Sequence, residues 1–367
     1  MTDRETGLAG LRLALEADGD GAHPAAWRHS GRAPGAVLGP RALRDVVAAA
    51  EGAGFDLVTF ADSPLPPGTG TGAAGRLEAG TRASYAAPLT DRIGLAPTLH
   101  VATTEPFHLA TQLASLDHAS HGRAGWVVGG ASGRDDLATV GGAALPAAAL
   151  ARETSDVIDT ARALWDSWED DAVIKDVASG RFLDSARVHH IDFEGASFTV
   201  KGPLITPRPP QGQIVVLAPD TLDVDARADV VLVGRQDPAA VAARAARARE
   251  AGAPLVFAEV EVVLDAAVPA TDRLAELDGA AAWPDQGRLR HVGSPESLLE
   301  LLRELADSVD GVRLHPAVLA VDLPVLAERV LPELTGARVP GSGVTLRDTL
   351  GLARPVNRYA AAAATNA

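Results

Sequence analysis

Two groups of hydrogen-bonding side chains stand where an apolar run gives way to a loop. His100, Thr103 and Thr104 follow the run Ile93–Leu99, and Asp62 with Ser63 follows Phe55–Ala61. Such groups can donate to and accept from a ligand at a strand end. They can equally serve the backbone: Asp62 by bonding its own loop, the threonines by capping a helix that opens at Glu105. For Thr104 the two uses are compatible. A third candidate is His23-Pro24-Ala25-Ala26-Trp27-Arg28, where His23 and Trp27 either face a substrate or close a rim. His100 is the other candidate to face a substrate, although a lone histidine at a strand end is often a satisfied core residue. Adjacent His189 and His190 would point opposite ways on a strand, so no two-histidine metal site is expected. The glycines of GGASGRDDLATVGGAAL, Gly129 to Leu145, fall in pairs and spell neither a Walker nor a dinucleotide loop.

These residues need a scaffold that brings strand ends together. Ile93 to Val128 reads as a buried strand, an amphipathic helix with Phe107, Leu109, Leu113, Leu116 and Ala119 at helical spacing, a tight turn at His121-Gly122-Arg123 and a second buried strand. That is a βαβ unit with a right-handed crossover. Further apolar strands are expected at Leu11–Leu15, Phe55–Ala61, Val215–Ala218, Val230–Val233, Leu255–Val263 and Gly311–Leu314. Helices are expected over Pro40–Ala53, Pro146–Trp168, Pro238–Ala251, Ser294–Asp307 and Leu323–Leu334. The alternation predicts an α/β fold, a single (β/α)8 TIM barrel over residues 8–336. Insertions fall at about 63–90, 170–212 and 265–290, and 337–367 form a C-terminal extension. In such a barrel Asp62, Thr103, Thr104 and the loops after Val128 and Ala218 ring one mouth. Ser63–Ala83 reads as a mobile loop over that mouth, Asp170–Gly212 as an insertion with a hairpin around Glu194-Gly195, and Asp265–Arg290 as irregular.

Composition narrows the partners. The net charge of −15 repels nucleic acid and anionic membrane, and no local Lys/Arg cluster offsets it. No cysteine is present, which removes disulfides, thiolate metal sites and cysteine nucleophiles together. Aromatics supply 4% of the chain, so the core must be built from Ala, Val and Leu. No apolar run reaches membrane-spanning length and MTDRETGLAG has no signal-peptide core, so a cytoplasmic protein is expected.

The stretch TEPFHLATQLASLDHASHGRAGW, Thr104 to Trp126, resembles the signature of the luciferase-like flavin monooxygenases, in the branch holding nitrilotriacetate and dibenzothiophene-sulfone monooxygenases. LWDSWEDDAVIKDVASGRFLDSARVHHIDFEGASFTVKGPLITPRPPQG, Leu164 to Gly212, supports the likeness with an insertion, and the resemblance runs from about His23 to Pro355. It implies an enzyme that takes reduced FMN from a separate flavin reductase and uses dioxygen to oxidise a small organic substrate, as a homo-oligomer. It places Asp62 and Thr103 or Thr104 beside the flavin ring, and the His23–Arg28 segment, with Ala25 where the family has glycine, at the mouth of the substrate pocket.

One segment departs from the family. There a Gly-Ser-Ser loop leads into a helix whose N-terminus holds the FMN phosphate; here the chain reads APDTLDVDARADVVLV from Ala218, shorter by about a helical turn. The glycine is missing, and Asp220, Asp223 and Asp225 are expected to bring repelling charge. A histidine and a tyrosine of the family fall near Ala147 and Ala151. Arg134 or Arg152 would then be needed for a phosphate, and FMN and riboflavin should bind about equally. The competing expectation is a decayed relative that binds no flavin and serves as a noncatalytic subunit; a deazaflavin would meet the same missing phosphate site.

Overall fold

The computed structural model describes residues 8–67, 75–335 and 341–360. Eight parallel strands close into a ring: β1 Arg12–Ala17, β2 Leu57–Phe60, β3 Gly94–His100, β4 Gly125–Gly129, β5 Val215–Pro219, β6 Val230–Val233, β7 Leu255–Leu264 and β8 Gly311–Pro316. Each pairs with the next, and β8 returns to β1 with Arg12 opposite Gly311 and Leu15 opposite Leu314. The predicted barrel is therefore present. Its strands were readable because parallel strands covered on both faces become largely apolar runs, interrupted here by charges on β1, β7 and β8.

Alternation along each strand divides the inside of the ring into layers. The lowest is apolar, with Ala14, Leu57, Ala96, Val127, Val215, Val230 and Phe257 in one cluster. Leu346 and Leu350 of the helix Leu346–Leu350 join that cluster from below. A Cβ on Gly94 would meet the Leu346 side chain at 2.6 Å, so glycine is what lets the helix seat there. The helix Leu346–Leu350, within the expected C-terminal extension, thus closes the barrel floor.

Above the floor the interior turns polar. Glu16 lies beside Thr59, and Glu259 and Glu261 lie beside Arg313 and His315. Arg313 bonds Glu259 and approaches Glu16 at 3.4 Å. An additional strand, Leu289–Gly293, pairs with the upper half of β7. It brings Arg288 to 3.3 Å from Glu259 and Arg290 to 2.7 Å from Glu261. Burial alone would raise the Glu259 carboxyl, but Arg313 and its neighbours hold it well below the usual range; Glu16 is lowered for the same reason. Burial pushes His315 down to about 4, so it is neutral at neutral pH.

Three expected irregular regions prove ordered. Ser63–Ala83 was expected as a mobile loop, yet Ala79–Ala86 is a helix capped by Glu78, which accepts from the Gly80 and Thr81 amides; residues 68–74 of that loop lie outside the described residues. Asp265–Arg290 contains the helix Ala270–Ala280, which buries Ala270, Arg273 and Leu277. The loop after β4 carries a short helix, Arg134–Ala138. Within Asp170–Gly212 the expected hairpin pairs Phe193–Glu194 with Thr199–Val200, and a second one pairs Val173–Asp176 with Arg181–Leu183. Among the described residues no helix is long and apolar enough to cross a membrane.

Candidate functional site

The strand ends open onto two adjoining cavities. One, of about 420 Å³, lies over β2 and β3 and is lined by Asp62, Thr98, His100, Thr103 and Thr104. The other, of about 280 Å³, lies over β1 and is framed by Asp18, His23, Trp27, Leu43, Arg76 and Arg82. Pro67, Gly75 and Arg76 line both, so they form the wall between them. The strand-end residues Asp62, His100, Thr103 and Thr104 share the larger cavity, while His23 and Trp27 line the smaller one.

In the larger cavity the polar groups are not equivalent. Both Asp62 oxygens are taken, accepting the Ser63 amide at 2.8 Å and the Ala79 amide at 2.8 Å. Asp62 thus shapes its own loop and anchors the helix Ala79–Ala86. The threonines do not cap the next helix, contrary to one expectation. Glu105 does, accepting from the Phe107 and His108 amides, with Pro106 at the first helical position. Thr103 and Thr104 are left half-buried on the cavity wall, their backbone amides bonded to the His100 carbonyl at 3.3 and 3.1 Å. Glu105→Ala should consequently cost about 1 kcal/mol in urea unfolding, while Thr104→Ala should stay within about 0.5 kcal/mol. Equal losses would restore the capping role to Thr104.

His100 is fixed by β4. Its Nδ1 accepts the Ala131 amide at 3.3 Å, which leaves the ring proton on Nε2. A Cβ on Gly129 would collide with the ring. Burial lowers its pKa, opposed by the Asp62 carbonyl and carboxylate, so the ring is neutral. Nε2 is buried and faces the Asp62 carbonyl, but it makes no hydrogen bond of good geometry among the described residues. A donor so poorly satisfied, on the wall of a cavity, suits a ligand carbonyl or ring nitrogen.

His23 lines the smaller cavity but is not free to react. It is 2% exposed; its Nε2 lies 3.1 Å from Asp278, and its Nδ1 accepts the Ala25 amide at 3.0 Å. The ring meets Trp283 edge to face at 5.1 Å, and burial depresses its pKa against the pull of Asp278. Both ring nitrogens are thus engaged in holding the wall. Trp27 is half-buried, with the Arg28 guanidinium 5.3 Å from its ring centroid.

The β5–β6 connection holds no α-helix, only the 3-10 turns Asp220–Leu222 and Asp225–Arg227. Its aspartates were expected to repel a phosphate, and here the structure differs. Asp220 is held by Arg235 at 2.6 Å and Arg244 at 2.9 Å, and Asp225 by Arg244 at 2.6 Å. Asp220 and Asp225 are thus neutralised and their cations are spoken for, while Asp223 stays exposed. Arg134 and Arg152 are exposed and line neither cavity.

The buried Glu–Arg network and the cavity arginines went unnoticed in sequence. The visible signal was charge at period two inside otherwise apolar runs, Glu259 and Glu261 on one strand and Arg313 on another.

Comparison with known proteins agrees with this geometry. N-acetyl-S-(2-succino)cysteine monooxygenase of Bacillus subtilis is 28% identical over 433 aligned residues, covering 95% of this chain and 98% of that one. Nitrilotriacetate monooxygenase component A of Aminobacter aminovorans is 33% identical over 218 residues, covering 54% of this chain and 47% of that protein. A riboflavin lyase solved with a modified FMN and its substrate riboflavin superposes with a TM-score of 0.79 at 24% identity, covering 95% of this chain and 97% of that one. The model of the luciferase-like monooxygenases matches residues 21–286, and with β1 to β7 and both cavity walls inside or bordering that match, the chain belongs to the luciferase-like monooxygenase family.

Proposed function

We propose that the protein is a flavin-dependent monooxygenase that binds reduced FMN in the cavity over β2 and β3. Its other partners on this reading are dioxygen, a small organic substrate and a separate flavin reductase. Family membership supports the reaction class. The observation that carries the placement is His100, whose neutral Nε2 donor makes no well-formed hydrogen bond beside Thr103 and Thr104. A reduced flavin activates dioxygen for transfer of one oxygen atom. The chain's own part is to supply a water-poor slot, the Nε2 donor toward the ring's polar edge and a wall that positions the substrate.

The ring side of the site fits a flavin; the β5–β6 turn does not fit its phosphate, since Arg235 and Arg244 already hold Asp220. A built phosphate site adds charged hydrogen bonds worth about 1.5–3 kcal/mol each, or at least tenfold in affinity. Without one, FMN and riboflavin should bind within about threefold of each other. Anaerobic titration with each reduced flavin, followed by mixing with dioxygen, tests both parts. Saturable binding that alters the rate of flavin reoxidation supports the assignment, and no binding of either flavin sinks it. A strong FMN preference would place a phosphate site elsewhere in the chain.

A further inference from the structure

The smaller cavity contains a buried cation that forms no direct ion pair among the described residues. Arg82 is 9% exposed and lines the chamber over β1. Its guanidinium donates to two strand-end carbonyls, Ala17 at 3.3 Å and Ala61, and stacks 5.8 Å from the Phe60 ring centroid. Nε is buried without a hydrogen-bonded partner, and Arg82 forms no ion pair among the described residues. Asp18, Asp62 and Glu16 act on it only through space. Of these Asp18 is already committed, bonded to Arg76 at 3.1 Å.

Burial decides what this means. The remaining carboxylate of the lining, Asp20, is half-exposed and solvated, so it needs no partner. Arg82 is removed from water, where an uncompensated charge is strongly disfavoured unless a ligand or another side chain supplies the opposite sign. A guanidinium also presents a planar fork suited to two carboxylate oxygens. Beside the polar Asp18, Asp20, His23 and Arg76, the lining is apolar, with Val37, Leu43, Val46, Leu77, Leu319 and Trp27.

We infer that this chamber binds a small organic acid, its aliphatic body against Leu43 and Trp27 and its carboxylate on Arg82. The inference rests on the monooxygenase reading only in naming that acid as the substrate; binding itself can be tested with no flavin present. Arg82 is on this assignment a specificity-determining residue, and Arg76 sets the wall toward the flavin cavity.

The test uses hexanoate and its neutral analogue hexanamide as probes on the full chain, read by calorimetry and by Trp fluorescence. Wild type should bind hexanoate saturably and at least tenfold more tightly than hexanamide. Arg82→Gln should abolish that preference while leaving hexanamide unchanged, and Arg82→Lys should restore part of it. Because Arg82 also ties two strand ends, Leu43→Trp provides a second variant that fills the chamber and keeps the guanidinium; it should remove binding of both probes. No saturable hexanoate binding, or equal binding by wild type and Leu43→Trp, overturns the inference. So does a loss of FMN but not riboflavin affinity in Arg82→Gln, which would give the cation to the flavin phosphate. Flavin titration of the same samples tells this failure apart from failure of the monooxygenase reading.

Discussion

Arg313→Leu should destabilise the protein by about 3–5 kcal/mol, because removing one member of a buried ionic network leaves Glu16 charged without an ion-pair partner and Glu259 with only Arg288. Arg313 is the cation shared by Glu16 and Glu259 inside the barrel, and all three are less than a tenth exposed. Against a total of about 5–15 kcal/mol, this loss is large. The pH dependence has a definite sign. In the native protein both carboxyls have pKa values below normal, so their contribution is present above the unfolded pKa and is lost as pH falls through the folded one. In the variant burial is opposed only by more distant cations, and the two pKa values rise. The deficit should therefore be greatest near pH 8 and shrink toward pH 5, as protonation neutralises the stranded carboxyls. Urea unfolding at the two pH values reads this directly. A loss below about 1 kcal/mol, or one that grows on acidification, would contradict the network's role. Combining Arg313→Leu with Glu16→Gln and Glu259→Gln should recover much of the loss, since neutral groups carry a far smaller desolvation penalty.

A chain ending at Thr335 should fail to fold cooperatively. It lacks Leu346 and Leu350, which fill the base of the ring, each worth about 1.5–3 kcal/mol of burial. It also lacks Arg347, which holds Asp229 at 3.1 Å and donates to the Gln213 carbonyl at 2.6 Å. Asp229 would keep only Arg162 and the Val216 amide. Together these losses approach the whole stability of a domain. Near-UV circular dichroism and limited proteolysis should show lost side-chain order; a sharp, unchanged thermal transition would show that the floor is dispensable. Leu346→Ala is the milder version, expected to cost about 2–5 kcal/mol.

The strands of this protein could be read from sequence because each is nearly all apolar, and helix starts such as Pro40, Pro106 and Pro295 carry local signals that need no tertiary context. The helix Ala79–Ala86 could not, since part of its capping comes from Asp62, seventeen positions away, and its eight residues include Gly80, Thr81 and Ser84. The helix Ala270–Ala280 was hidden differently: one of its three buried residues is Arg273, whose partner Asp322 is distant in sequence. The same limit governs the site. Asp220 looked like repelling charge because Arg235 and Arg244 neutralise it only after folding. Arg82 lay in a stretch read as loop, and nothing local announces that a guanidinium will be buried there. Strand-end position, by contrast, followed from the barrel alone, and it correctly put Asp62, His100, Thr103 and Thr104 around one cavity.

The seam between β1 and β8 joins residues about 300 positions apart, Arg12 beside Gly311. On a ribosome adding roughly 5–20 residues per second, β1 waits on the order of 15–60 s for its neighbour. During that time its outer edge carries unpaired amides and carbonyls, a template for pairing with another nascent chain. Folding of so non-local a ring is inherently slow, and the exposed seam makes crowding at synthesis, rather than heat, the condition under which yield should first be lost.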